Sequence, residues 1–276
     1  MKLGNTSVRI IVSVIAIPII LFACVYGKIP FLIFVLGIGL LSFGEFTGLA
    51  KKKNIYPNSL LGFLTVALLI LNVYFNFVQF DIIIISSAIL ILLSELFRNK
   101  SSAILNTSAT FLGILYLGLF SASILAIREF YNYSVLVYDE GGYLIISIMA
   151  SIWICDSAAF FIGSAIGKHK LFPRVSPNKS WEGAIAGFVF SVIAMIAAKA
   201  LILDNLTLFD SIIIGIIVGV IGQLGDLVES LFKRDAGVKD SSNLIPGHGG
   251  IFDRFDSLFL TAPNVYVYLF LFVGNK

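Results

Sequence analysis

Long apolar runs, broken by short polar stretches, constrain this chain more than any other feature. A helix that crosses a membrane needs about 20 apolar residues. In hydrocarbon every backbone N–H and C=O must find a partner within the protein, so runs of that length fold as helices. Runs at 8–26, 30–49, 59–78, 81–97, 108–128, 143–163, 183–202, 208–225 and 256–273 predict an all-α, polytopic membrane protein with about nine transmembrane helices. Composition agrees, since 58% of the residues are hydrophobic, against about 45–50% in a soluble domain. The mean hydropathy is +0.99.

Lys2 and Arg9 before the run Ile10–Phe22 have the form of a signal peptide, and Leu21-Phe22-Ala23-Cys24 has some look of a lipoprotein cleavage box. Phe22 fits such a box poorly and further spans follow, so this segment is read as the first span. The two cysteines, Cys24 and Cys155, each sit inside an apolar run without metal-type spacing and are read as packing residues.

The basic residues set the expected orientation. With the N-terminus cytoplasmic, Lys2, Arg9, Lys51, Lys52, Lys53, Arg98, Lys100, Lys168, Lys170, Arg174, Lys179, Lys233, Arg234, Lys239 and Arg254 all fall on the cytoplasmic side. Only Lys28, Arg128, Lys199 and Lys276 fall on the other. Two polar loops, about 164–182 and 226–255, then share the cytoplasmic face. The expected organisation is an N-terminal region, 1–140, with helices one to five, and a C-terminal catalytic region, 141–276, with helices six to nine and both loops. Gly183 with Gly187, and Gly215 with Gly219, have the spacing of close helix contacts.

The polar chemistry concentrates between Ser230 and Asp256. Carboxylates at Asp240, Asp253 and Asp256 can hold a divalent cation. Lys233, Arg234, Lys239 and Arg254 can hold phosphate. The glycines in Pro246-Gly247-His248-Gly249-Gly250 let backbone N–H groups approach an anion. Asp253 and Asp256, three apart at a helix start, lie on one face with Cβ atoms about 5–6 Å apart. Helix capping would need only one of them, so the pair favours metal. Asp226 ends the preceding span, with Glu229 one turn on. Asp156 lies about 9 Å inside the sixth span by helix rise, where a carboxylate costs about 2.5–3.5 kcal/mol and signals function by default. Ser176-Pro177 reads as a helix cap and first turn, but Lys179, Ser180 and Glu182 follow too closely for capping alone. His248 can serve as an acid–base group, a phosphate donor or a backbone partner. It belongs to the site without a proton-transfer role.

These residues resemble a known signature. Ser230, Lys233-Arg234, Lys239-Asp240, Pro246, His248-Gly249-Gly250 and Asp253-Arg254-x-Asp256 are similar, position by position, to the motif of phosphatidate cytidylyltransferases, also called CDP-diacylglycerol synthases. Gly225-Asp226-Leu227-x-Glu229-Ser230 extends it. Ser176-Pro177-Asn178-Lys179-Ser180-Trp181-Glu182-Gly183 resembles the family's second conserved block. The resemblance covers about 150–256, and the first 140 residues match only as apolar spans.

It implies transfer of CMP from CTP to phosphatidic acid in a membrane lipid surface, giving CDP-diacylglycerol and pyrophosphate. It implies metal ligands at Asp226, Asp253 and Asp256, magnesium as the cofactor with room for a second cation, and catalytic roles for Lys233, Arg234, Lys239, Asp240, His248 and Arg254. Substrate contacts would come from Asp156, Ser176, Lys179, Ser180, Glu182, Gly249 and Gly250. The expected location is a bacterial cytoplasmic membrane with the site on its cytoplasmic side. No nucleic-acid partner is expected, and a homodimer is admitted. Three other readings compete with it. A transporter would explain intramembrane acids such as Asp156 and Glu95, but no paired broken helices recur. A CDP-alcohol phosphatidyltransferase would need an Asp-Gly-x-x-Ala-Arg motif that is absent. A related cytidylyltransferase with an isoprenoid or ether-lipid acceptor stays open.

Overall fold

The computed structural model describes residues 5–131 and 137–274, with side chains from residue 12 onward. Lys2, Lys276 and the side chain of Arg9 lie outside the described residues. The chain is an all-α polytopic membrane protein. Among the described residues seven helices are long and apolar enough to cross a membrane, and two apolar helical stretches, Val12–Tyr26 and Ser59–Phe75, are shorter. In chain order they are α1 (Asn5–Tyr26), α2 (Lys28–Lys52), α3 (Ser59–Phe75), α4 (Phe80–Arg98), α5 (Ala103–Arg128), α6 (Tyr138–Ile166), α7 (Trp181–Leu201), α8 (Leu208–Asp235) and α9 (Phe252–Val273). Short polar residues punctuate them. Asn58 Oδ1 accepts from Leu61 N, Thr207 and Asp210 form a capping box, and Asn76 and Asn99 close α3 and α4 in the left-handed conformation.

Three local outcomes differ from the expectations. The stretch after Asp226 is helix rather than loop, because α8 continues to Asp235. No glycine or proline interrupts it before Gly237, and its apolar positions keep a helical period. The last helix begins at Phe252 rather than 256. Ser176-Pro177 does not start a helix. Lys170–Phe172 (β1) and Ser176–Ser180 (β2) form an antiparallel hairpin, and the N-cap is Ser180, whose Oγ accepts from Gly183 N at 3.2 Å.

The chain divides into two compact units. The first comprises Met1–Ala23, Lys28–Ala126 and Phe232–Phe255. Within it α2 packs on α3, and α3 on α4 and α5. Phe31, Val35, Phe43, Ile70 and Leu117 are fully buried there. The second unit comprises Cys24–Gly27, Ile127–Leu231 and Asp256–Lys276. Within it α6 packs along α7, and α7 against α8. Both predicted glycine pairs lie at these contacts. A Cβ on Gly183 would stand 2.6 Å from Ala159 O, and one on Gly215 would stand 2.7 Å from Val192 Cα. Arg128 is wholly buried in this unit and donates to the carbonyls of Cys24, Val25 and Tyr138, so it closes the C-terminal end of α1.

Candidate functional site

In the second unit, three carboxylates converge. Oxygen atoms of Asp226, Glu229 and Asp256 all lie within 4.8 Å of one another. Asp226 and Glu229 are one turn apart on α8, so they share a helix face. Gly225 brings α9 to them, since a Cβ there would lie 2.8 Å from Asp256 O and 3.1 Å from Ser257 Cα. Just before this contact, α8 makes one wide turn at Val218–Gly222. Such a π-turn inserts a residue and re-aims the side chains that follow it. Glu229 is fully buried, and Asp226 and Asp256 are half-buried.

Two hydrogen-bond donors address Asp226. Lys179 Nζ lies 2.6 Å from its Oδ2. Ser230 Oγ donates to Oδ1 at 3.2 Å. The hairpin β1–β2 carries Lys179 toward α8, and Ser180 then turns the chain into α7. Glu182, in the first turn of α7, faces the hairpin. Its Oε1 lies 2.7 Å from His169 Nδ1, and its oxygens accept from His169 N at 3.3 Å. Ser176 is half-buried on β2, and Asp156 is exposed on α6.

The first unit holds the rest of the motif. Asp253, in the first turn of α9, is buried and pairs with Lys233 Nζ at 2.7 Å. Its Oδ2 accepts from Gly250 N at 2.7 Å and Ser241 N at 3.0 Å. Gly249, with φ +82°, makes this turn, and a side chain there would meet Asp253 Oδ2 at 2.7 Å. Arg234 donates to Val238 O at the end of α8. His248 Nε2 lies 3.5 Å from Ser13 Oγ, and its Nδ1 is buried without a hydrogen-bond partner among the described residues. Lys239, Asp240 and Arg254 are exposed, and no ion pair involves them among the described residues.

Several of the predicted residues gather in two clusters, one in each unit. Asp226 and Asp256 stand together with Lys179. Asp253 stands instead with Lys233, Ser241 and Gly250. Two residues outside the expected set stand with these groups. Glu229, one turn beyond Asp226, completes the carboxylate group. Glu45, on α2, is buried and accepts from the Ser241–Phe252 loop. The signal that flagged Asp156, an acid inside an apolar span, applies equally to Glu45.

The profile of the cytidylyltransferase family matches residues 7–272. The chain belongs to the cytidylyltransferase family. A curated phosphatidate cytidylyltransferase of Bacillus subtilis (strain 168) is 34% identical over 269 residues, covering 96% of this chain and 97% of that protein. The phosphatidate cytidylyltransferase of Staphylococcus saprophyticus is 32% identical over 266 residues, 95% of this chain and 98% of its own. That of Haemophilus influenzae is 47% identical over 140 residues, 49% of this chain and 48% of its own. The family match thus begins well before residue 150, where the motif resemblance starts.

Three carboxylates on a cytidylyltransferase scaffold are hard oxygen donors, a set that suits a divalent cation of the magnesium type. A buried Glu229 beside two further acids is costly without an opposing positive charge, and Lys179 supplies one at Asp226.

Proposed function

We propose that this chain transfers the cytidylyl group of CTP to phosphatidic acid, with release of pyrophosphate and formation of CDP-diacylglycerol. The observation that carries the reading is the Asp226–Glu229–Asp256 group, with Lys179 against it, inside a chain of the cytidylyltransferase family. Its full-length relatives, named phosphatidate cytidylyltransferases, support the choice of acceptor.

In this reaction a phosphatidate oxygen attacks the α-phosphorus of CTP, and the bond from that phosphorus to the oxygen bridging to the β-phosphorus breaks. Near neutral pH the attacking oxygen is already anionic, so little general-base help is required. The difficulty is the meeting of two anions. Magnesium held by Asp226, Glu229 and Asp256 would orient the triphosphate and offset charge on the leaving pyrophosphate. Lys179 is a flexible point charge suited to the triphosphate. Lys239 and Arg254 carry exposed charge that no ion pair consumes among the described residues, and the signature assigns them the same task. Lys233 is already committed to Asp253 and serves the fold of its loop. The chain lies in a bacterial cytoplasmic membrane, with its polar loops on the cytoplasmic face where CTP is found. The exposed apolar residues of its helices, such as Phe160, Phe161 and Ile185, meet lipid.

The deciding experiment is release of pyrophosphate from CTP by purified protein in detergent, with and without phosphatidic acid. Release that requires both phosphatidic acid and magnesium is expected. Release with an isoprenoid phosphate but not with phosphatidic acid would move the chain to another acceptor class.

A further inference from the structure

Outside the motif, a second densely bonded carboxylate of the first unit is Glu45. Glu45 sits near the end of α2, inside a helix apolar enough to cross a membrane, and is 8% exposed. Four donors from one distant segment reach it. Ser242 Oγ donates to Oε1 at 2.7 Å and Ile251 N to the same oxygen at 3.0 Å. Phe252 N donates to Oε2 at 2.8 Å, and Ser241 Oγ lies 2.9 Å from Oε2. A carboxylate has about four lone-pair sites, and here three donors fill them outright while the Ser241 hydroxyl is shared with Asp253.

All four donors belong to the loop that ends in Gly249, Gly250 and the first turn of α9. Ile251 N and Phe252 N stand at the start of α9, and both donate to Glu45, which caps this helix end from α2. Ser241 Oγ also lies 2.8 Å from Asp253 Oδ2, and its single proton can serve one carboxylate at a time. The loop is built to admit Glu45, because a Cβ on Gly250 would collide with both Ser241 Oγ and the Glu45 carboxylate. Aromatic contacts also hold the helices that flank the loop. Phe46 packs edge-on against Phe232 at 5.7 Å, and Tyr116 packs edge-on against Phe252 at 5.8 Å. A buried ionised group is seldom the cheapest way to hold a fold. Its full engagement with one functional loop points to a task in positioning.

We propose that Glu45 is a positioning residue for the cytidylyl transfer, fixing the Ser241–Phe252 loop and thereby the orientation of Asp253. The proposal rests on the function assigned above. Glu45→Gln keeps the size but places an amide N–H₂ among donors. Kinetics of the folded fraction of wild type, Glu45→Gln, Ser241→Ala and the double variant separate the possibilities. Expected is a fall in kcat of at least tenfold for Glu45→Gln, with KM for CTP changed less than threefold. The double variant should lose no more than about twofold beyond Glu45→Gln, since residues acting through one network are not additive. Faster amide hydrogen exchange at Ile251 and Phe252 should accompany the loss. A lowered Tm with wild-type kcat, or losses that multiply in the double variant, would overturn the proposal. If Glu45→Gln does not fold, Ser242→Ala removes one donor from a part-exposed position, and unchanged kcat with unchanged exchange at Ile251 overturns it equally. Failure of the wild type to release pyrophosphate would instead refute the assigned reaction and is read from the same plate.

Discussion

Lys179 Nζ stands 2.6 Å from Asp226 Oδ2, so the lysine of one motif block holds a carboxylate of the other. Both side chains are about 30% exposed, which leaves the pair open to exchange with solvent ions. Lys179 is thus a resident cation on an oxygen that a divalent ion would also use. Substitution Lys179→Ala should raise KM for CTP about tenfold, the equivalent of roughly 1.4 kcal/mol, through loss of a triphosphate contact. It should also shift direct binding of manganese, followed by its paramagnetic signal, to lower concentration, because a competing charge is gone. Ordinary CTP kinetics with impaired phosphatidate kinetics would place the hairpin on the lipid side instead.

Asp226, Glu229 and Asp256 act as one group within 4.8 Å, and their removal should have one signature. Asp226→Asn, Glu229→Gln and Asp256→Asn should each lower kcat by about a hundredfold or more, since each removes charge stabilisation of the transition state. Manganese binding should weaken in all three, while elution in detergent stays that of the wild type. Near-normal turnover of Glu229→Gln across a magnesium titration would remove Glu229 from the group.

Asp253 should behave differently, because it is 3% exposed at the side chain and paired with Lys233. Breaking a buried ion pair from one side leaves an uncompensated charge, at a cost of about 3–5 kcal/mol. Asp253→Asn should therefore lower Tm markedly. Lys233→Met combined with Asp253→Asn should recover most of the Tm, yet should not recover activity if Asp253 also serves the reaction. A double variant as unstable as Asp253→Asn would show that the bonds from Ser241 N and Gly250 N, rather than the ion pair, hold this turn.

The sequence makes the helices legible because hydrocarbon leaves a long apolar run few alternatives. The ends of the helices are less legible. Asp226 to Asp235 is polar enough to resemble a loop, yet only an amphipathic helix places Glu229 beside Asp226. The motif spacing places Asp253 and Asp256 on one helix face, but spacing alone does not say which partners each will find. Lys233 and Gly250 N take Asp253, whereas Gly225 lets Asp256 approach Asp226. Glu45 is the hardest to read, since its partners lie about 200 residues away and nothing local to α2 reveals them.

Gly215 and Gly37 give a matched test of the packing argument. A Cβ on Gly215 would meet Val192 Cα at 2.7 Å, and backbone of a packed helix cannot yield cheaply. Gly215→Ala should therefore destabilise by about 1–3 kcal/mol, as overpacking does. Gly37 on α2 has open space where its Cβ would stand, and Gly37→Ala should be neutral or raise Tm through better helix propensity, worth up to about 1 kcal/mol. Equal effects at both positions would mean that helix propensity, not close contact, governs these glycines.

The basic residues predict sidedness that labelling can check. Asn243 and Lys170 lie in the loops rich in lysine and arginine, whereas Gln79 and Asn205 lie in loops on the side with few of them. All four side chains are exposed. Cys24 and Cys155 are buried, so a cysteine-free background should tolerate their replacement by alanine or serine. Single cysteines at Asn243 and Lys170 should react with a membrane-impermeant maleimide only in inverted vesicles, and those at Gln79 and Asn205 only in intact cells. The charge asymmetry acts during insertion, when positively charged loops resist translocation. Converting Lys51, Lys52 and Lys53 to glutamine should therefore weaken the label difference at Gln79 before it alters that at Asn205. Reaction of Asn243 and Gln79 from the same side would mean that α3 or a neighbour does not cross, and the nine-span topology would fall.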